Sequence, residues 1–301
     1  MATETGARAA LAPAKVNLTL HLTGLRPDGY HLLESLVVFA GVGDRLEVAP
    51  APDLTLEVSG PLAAGVPTDD RNLVLKAAVR LRALRGVAAG AHIRLRKHLP
   101  HGAGIGGGSS DAAAALRLLA DLWAVAPLST DEALPLGADL PVCLRAPAPT
   151  VMSGIGERLA PAPDLPEGWL VLVNPGIHLS TAEMFKAHDR LYPGTHPGMD
   201  GINGQDLPRD FGSWLSGQGN HLTKVACEAA FAPVIGEILD RLRQQKRNLA
   251  ADMSGSGSTV WGWFPERTDA ASAVVALRAL WPGFWVEIAP VLRPGDSLRL
   301  S

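Results

Sequence analysis

Apolar and polar residues alternate through 16–22 (Val-Asn-Leu-Thr-Leu-His-Leu), the period-two pattern of a strand with one buried face. Turn residues follow at 24–29. Short apolar or alternating runs recur at 36–40, 44–48 and 54–58, so the first third of the chain predicts a strand-rich sheet with tight connections. The period then changes. Leu73, Val74, Ala77, Leu81 and Leu84 fall at helical spacing, with Asn72 suited to cap the helix and Gly86 to stop it. Residues 93–95 read as another strand, running through Lys97 into a glycine-rich stretch. A helix is expected over 111–123, capped by Ser109 or Ser110 and carrying Asp111 in its first turn.

Pro147 and Pro149 interrupt the chain near its middle, and two domains, 1–152 and 153–301, are expected. The second half offers strand 169–174, helix 181–191, a Gly- and Pro-rich loop over 192–208, helix 233–247, strand 259–264, helix 269–280 and strand 284–289. Strands and helices in blocks, without an internal repeat, predict an α+β fold rather than a strictly alternating parallel sheet.

Composition narrows the function classes. With 47% hydrophobic and 19% charged residues the chain has the means to build a sizeable core, and a net charge of −3 gives no footing for nucleic acid or a membrane surface. No apolar run approaches the roughly 20 residues of a spanning helix. The first ten residues lack the apolar centre of a signal peptide, so a cytoplasmic protein is expected. Cys143 and Cys227 stand far apart and read as reduced, buried small hydrophobes.

The most chemically suggestive stretch runs from Pro100 through His101, Gly102, Ala103, Gly104, Ile105, Gly106, Gly107, Gly108, Ser109 and Ser110 to Asp111. Glycines bring several N–H groups close to a ligand, and the following helix start adds its positive dipole end, together a seat for phosphate. A tight turn would need fewer glycines. Gly102, Gly104 and Gly107 satisfy GxGxxG, yet the second strand with its terminal acid is missing, and the lysine and hydroxyl of the GxxxxGK[ST] loop are missing too. A second small-residue loop, Ser254-Gly255-Ser256-Gly257-Ser258, would by itself be an ordinary turn. Lys15 and Asn17 share a strand face that would otherwise read as merely solvated. Asp139 sits among apolar residues and needs a partner if buried. Were Lys15 that partner, the pair would make a general-base arrangement in which the ammonium favours the ionised carboxylate.

Taken together, Pro-Ala-Lys-Val-Asn-Leu (13–18), Arg-Pro-Asp-Gly-Tyr-His (26–31), the glycine stretch, Gly-Ala-Asp-Leu-Pro (137–141) and the late Ser-Gly-Ser-Gly-Ser resemble the GHMP small-molecule kinases. The resemblance spans about 11–289 and is densest before 157. It implies a ribosomal-protein-S5-like N-terminal domain and a ferredoxin-like C-terminal domain with the site between them. It also implies ATP as phosphate donor, held with Mg2+ by the loop 100–110, Ser110 being a metal ligand. Asp139 would take a proton from the acceptor hydroxyl beside Lys15, and Asn17 would hold the substrate. Asp-Gly-Tyr-His beside Pro-Ala-Lys-Val-Asn-Leu marks the branch acting on 4-diphosphocytidyl-2-C-methyl-D-erythritol, in isoprenoid precursor synthesis. There Tyr30 and Phe185 would flank the cytosine and His31 would bond its edge. A monomer or homodimer is expected. Mevalonate, homoserine and sugar kinases of the same superfamily are the nearest alternatives, with a dinucleotide oxidoreductase or a silent ligand sensor further off. Two departures from the family pattern, a shortened 123–136 and Ala-Pro-Ala-Pro at 146–149, both lie near Asp139.

Overall fold

The computed structural model describes residues 7–194, 198–199, 208–228 and 232–300. The first half forms β1 (Arg8–Asn17), β2 (His21–Leu25), β3 (His31–Ala51), β4 (Leu54–Ser59), α1 (Leu73–Arg85), β5 (Gly90–Arg96), α2 (Gly107–Trp123), the short α3 (Thr130–Ala133) and α4 (Leu140–Cys143), β6 (Thr150–Gly154) and β7 (Arg158–Pro161). The second half adds β8 (Trp169–Asn174), α5 (Thr181–Leu191), α6 (Phe211–Gln218), α7 (His221–Glu228), α8 (Pro233–Arg243), β9 (Ala250–Met253), β10 (Val260–Phe264), α9 (Arg267–Leu280), β11 (Trp285–Pro290) and β12 (Arg299–Leu300). One sheet runs β12-β1-β3-β5-β4, with β2 and β6 paired to β3 and β7 paired to β6, and the other runs β11-β8-β10-β9. The α+β expectation holds.

The local patterns explain most elements and fail instructively at a few. Asn72 caps α1 by accepting from the Val74 N–H, and Gly86 stops it in the left-handed conformation, both as expected. The runs 36–40 and 44–48 are one strand, the 21-residue β3. Gly43 carries it past β1: a Cβ there would stand 2.8 Å from the Pro13 Cα, so the close pairing needs a residue without one. Conversely, 16–22 is not one strand. Between β1 and β2 the Thr19 hydroxyl accepts from the Leu36 N–H at 2.9 Å, a side chain taking the place of a ladder bond. The helix expected over 233–247 ends at Arg243, the loop 192–208 lies largely outside the described residues, and α6 and α7 were not legible as periodic runs.

A register shift between Pro13 and Ala14 turns β1 over. Before it, Ala10 and Ala12 pack with α1 and α2. After it, Ala14, Val16 and Leu18 join a core shared with Leu170, Leu172, Trp261 and Trp263 of the second sheet. The alternate residues Lys15 and Asn17 pair with Phe39 and Val37 and so share their face, the one covered by α2. Dividing the chain at 152 cuts β6, which pairs with β3; the chain passes to the second sheet between Pro161 and Trp169. Among the described residues no helix is long and apolar enough to cross a membrane.

Candidate active site

The glycine stretch links β5 to α2, and its exit differs from the expectation. Helix α2 begins at Gly107, not Asp111, and its N-cap is Gly106 at φ +62°, with no side chain capping it. Ser109 and Ser110 lie within the first turn. The Ser110 hydroxyl is fully buried and donates to the Pro13 carbonyl at 2.7 Å, tying α2 to β1 rather than facing a ligand. Leaving out the side-chain cap keeps the first-turn N–H groups and the dipole available to an anion. Gly106 also rests on Lys15, where an added Cβ would stand 3.1 Å from the lysine's own Cβ, and the Lys15 N–H donates to the Ile105 carbonyl at 3.0 Å.

The second loop is part of the same structure. Ser254 Oγ donates to the Gly104 carbonyl at 2.9 Å and accepts from the Asn17 N–H at 3.1 Å, and the Thr259 N–H donates to the Ala103 carbonyl at 3.0 Å. Gly104 holds φ +74°, and a Cβ there would lie 2.7 Å from the Gly257 carbonyl oxygen. Gly104→Ala should therefore part the two loops, costing about 1–3 kcal/mol of stability; urea unfolding checks this.

Lys15 and Asp139 meet. Lys15 Nζ donates to Asp139 Oδ2 at 3.0 Å, the lysine being 4% exposed and the carboxylate 39%. Asp139 is the N-cap of α4, yet its side chain makes no capping bond, so the carboxylate is turned to Lys15 and to solvent. The connection 123–136 is braced from α1, where Arg85 donates to the Ala126 and Pro127 carbonyls at 2.9 and 2.8 Å and pairs with Glu132, while Arg117 Nη1 on α2 donates to the Cys143 carbonyl at the end of α4, 3.2 Å away. Burial, and then the charge of Asp139, push the Cys143 thiol up to about 12, so this cysteine is inert packing as its sequence context suggested.

Asn17 is 2% exposed; its amide donates to the Ser35 hydroxyl at 2.8 Å, while its side-chain oxygen has no hydrogen-bond partner. His31 and Phe185 come together from β3 and α5, their rings 4.7 Å apart at 26°. Tyr30, next to His31 in sequence, stands 61% exposed.

One cluster escaped the sequence reading. Lys97, at the end of β5, is buried between Asp44 and Asp111, with Asp111 Oδ2 2.7 Å from its Nζ and Asp44 closer still. Asp44 also accepts from the Leu99 N–H at 2.9 Å and from the His98 N–H. The cluster thus grips the backbone entering the glycine loop and the helix leaving it. Burial works against the Lys97 charge, but Asp111 and Asp44 outweigh it and hold its pKa above the usual value. Burial, with the nearby Asp44, pushes the Asp111 carboxyl well above the usual range despite Lys97. Parity was the available signal: Asp44 alternates with Leu46 and Val48, and Lys97 with Ile93 and Leu95, charges on apolar faces.

The family model described as GHMP kinases N terminal domain matches residues 72–147, and that described as GHMP kinases C terminal matches 208–283. A 4-diphosphocytidyl-2-C-methyl-D-erythritol kinase of Jannaschia sp. (strain CCS1) is 50% identical over 94% of this chain and 96% of its own. That of Paramagnetospirillum magneticum (strain ATCC 700264 / AMB-1) is 49% identical over 93% and 97%. A crystal structure of 4-(cytidine 5'-diphospho)-2C-methyl-D-erythritol kinase aligns with TM-score 0.76 at 33% identity, covering 94% of this chain and 99% of that one. Homoserine kinase from Cytophaga hutchinsonii shares the fold at TM-score 0.71, with 14% identity over 100% of this chain and 99% of its own.

Proposed function

The chain belongs to the GHMP kinases, within the family of 4-diphosphocytidyl-2-C-methyl-D-erythritol kinases, and from that membership we propose how its residues divide the reaction. The enzyme transfers the γ-phosphoryl group of ATP to the 2-hydroxyl of 4-diphosphocytidyl-2-C-methyl-D-erythritol, a step of isoprenoid precursor synthesis in the cytoplasm. The observation that carries the division of roles is the Lys15–Asp139 pair, with its half-exposed carboxylate, on the face covered by the uncapped α2.

Phosphoryl transfer asks the protein mainly for positioning and charge. Backbone N–H groups of the loop and of the first turn of α2 hold the donor phosphates. Asp139 accepts the proton of the acceptor hydroxyl as its oxygen bonds to the γ-phosphorus and the bond to the β,γ-bridging oxygen breaks, releasing ADP. Lys15 steadies the carboxylate and the incoming oxygen. The unmet Asn17 side-chain oxygen suits a substrate hydroxyl. Magnesium, when bound, would screen the phosphate charge through phosphate and water oxygens. Ser110 does not fit as its ligand, being fully buried with its hydroxyl on the Pro13 carbonyl.

At the other end, His31, Phe185 and Tyr30 receive the cytosine, an aromatic platform beside a polar reader. Phe185→Ala is expected to raise KM for the cytidyl substrate about tenfold, stacking being worth roughly 1–3 kcal/mol per base, with KM for ATP nearly unchanged. Steady-state kinetics with each substrate varied in turn checks this; an unchanged cytidyl KM places the base elsewhere.

A further inference from the structure

His31 is held by more than its stacking. Its Nε2 lies 2.7 Å from Asp189 Oδ1, with the histidine side chain 14% exposed and the aspartate 46%. Phe185 and Asp189 are four residues apart on α5, so they share a helix face and engage the same imidazole, one by its plane and the other by its edge. A pair this exposed adds little to folding stability. Asp189 also lines a cavity of about 440 Å³ with Glu183, Lys186 and Arg190. The pair's consequence is chemical. An ionised carboxylate only accepts, so the proton of neutral His31 is fixed on Nε2 and Nδ1 is left as a lone-pair acceptor.

An acceptor distinguishes pyrimidines. Cytosine presents an amino group where uracil presents a carbonyl oxygen. The amine can donate to Nδ1, whereas the carbonyl would set one lone pair against another. We propose that Asp189 is a positioning residue that sets base specificity: by fixing the His31 tautomer it makes the site select an amino-bearing pyrimidine over its oxo counterpart. This rests on the reading that His31 faces the cytosine, and goes beyond it by naming the group that determines what His31 can read. Without Asp189 the imidazole is free to exchange tautomers, and the form protonated on Nδ1 would accept uracil.

The test compares kcat/KM for the cytidyl substrate and its uridyl analogue at one fixed pH. Wild type is set against Asp189→Ala, Asp189→Glu and His31→Ala. The cytidyl preference should fall by about tenfold or more in Asp189→Ala, through KM for the cytidyl substrate rather than kcat, and recover in Asp189→Glu. Imidazole ¹⁵N NMR should show His31 protonated on Nε2 in wild type and as a tautomer mixture in Asp189→Ala. If His31→Ala raises the cytidyl KM while Asp189→Ala leaves both preference and imidazole spectrum unchanged, the role given to Asp189 is overturned and the base site stands. If His31→Ala also leaves that KM unchanged, the reading of the base site falls and this inference with it.

Discussion

Asp139→Asn is expected to lower kcat by about 10²–10⁴, the range associated with a lost general acid or base, while KM for either substrate moves little. Asparagine matches aspartate in shape, and its amide oxygen can still accept from Lys15 Nζ, which lies 3.0 Å from the carboxylate in the native pair. The variant thus keeps the pair's geometry while removing both the capacity to take a proton and the negative charge opposite the buried Lys15 ammonium. The carboxylate is 39% exposed and makes no cap to α4, so the fold places few other demands on it. Because the buried Lys15 loses its counter-charge, the thermal midpoint should fall somewhat, and kcat measured on enzyme shown to be folded separates chemistry from stability. Normal turnover in a folded Asp139→Asn enzyme would remove this residue from the role of base and leave the hydroxyl proton to solvent or phosphate.

The largest stability effect is expected at Lys97. Methionine there keeps the stem but leaves Asp44 and Asp111 facing one another in the interior without their cation. Breaking a buried ion cluster by removing one partner costs about 3–5 kcal/mol, for a fall in Tm on the order of 10 °C. The same change frees the segment entering the glycine loop, which Asp44 holds through backbone N–H groups, so KM for ATP should rise as well. Asp111→Asn makes the informative contrast. It leaves Lys97 paired with Asp44 and removes a carboxyl whose ionisation burial already disfavours, so the loss should be a fraction of that in Lys97→Met. Thermal and urea unfolding of both variants measures the difference, and equal stabilities would mean that the cluster does not anchor the loop.

Much of this architecture was legible because its signals are local. Asn72, Gly86 and the 3.6-residue spacing between them specify α1 without tertiary help. Lys15 was paired with Asp139 across 124 positions through motifs rather than periodicity, and the two do meet. What escaped depends on contacts no single stretch contains. Gly106 caps α2 without a side chain, so the serines that looked like caps became interior residues, and Ser110 was spent on the Pro13 carbonyl. The joining of 36–40 to 44–48 depends on β1 approaching Gly43 closely. Asp189 is an ordinary exposed acid on α5 until β3 brings His31 against it. Lys97 and Asp44 were the avoidable omissions, since each breaks the polarity of an otherwise apolar strand face.

In the proposed reaction one site joins the glycine loop and the Lys15–Asp139 pair to phosphorylate the cytidyl-linked methylerythritol. The most direct measurement follows purified enzyme with ATP, magnesium and 4-diphosphocytidyl-2-C-methyl-D-erythritol by ³¹P NMR, beside parallel reactions on mevalonate, homoserine and galactose. The prediction is one new phosphomonoester resonance, assigned to the 2-position, growing in step with ADP only with the cytidyl substrate and at a rate that collapses in Asp139→Asn. A phosphomonoester formed instead on one of the other alcohols, or formed on the cytidyl substrate at full rate by Asp139→Asn, would contradict it.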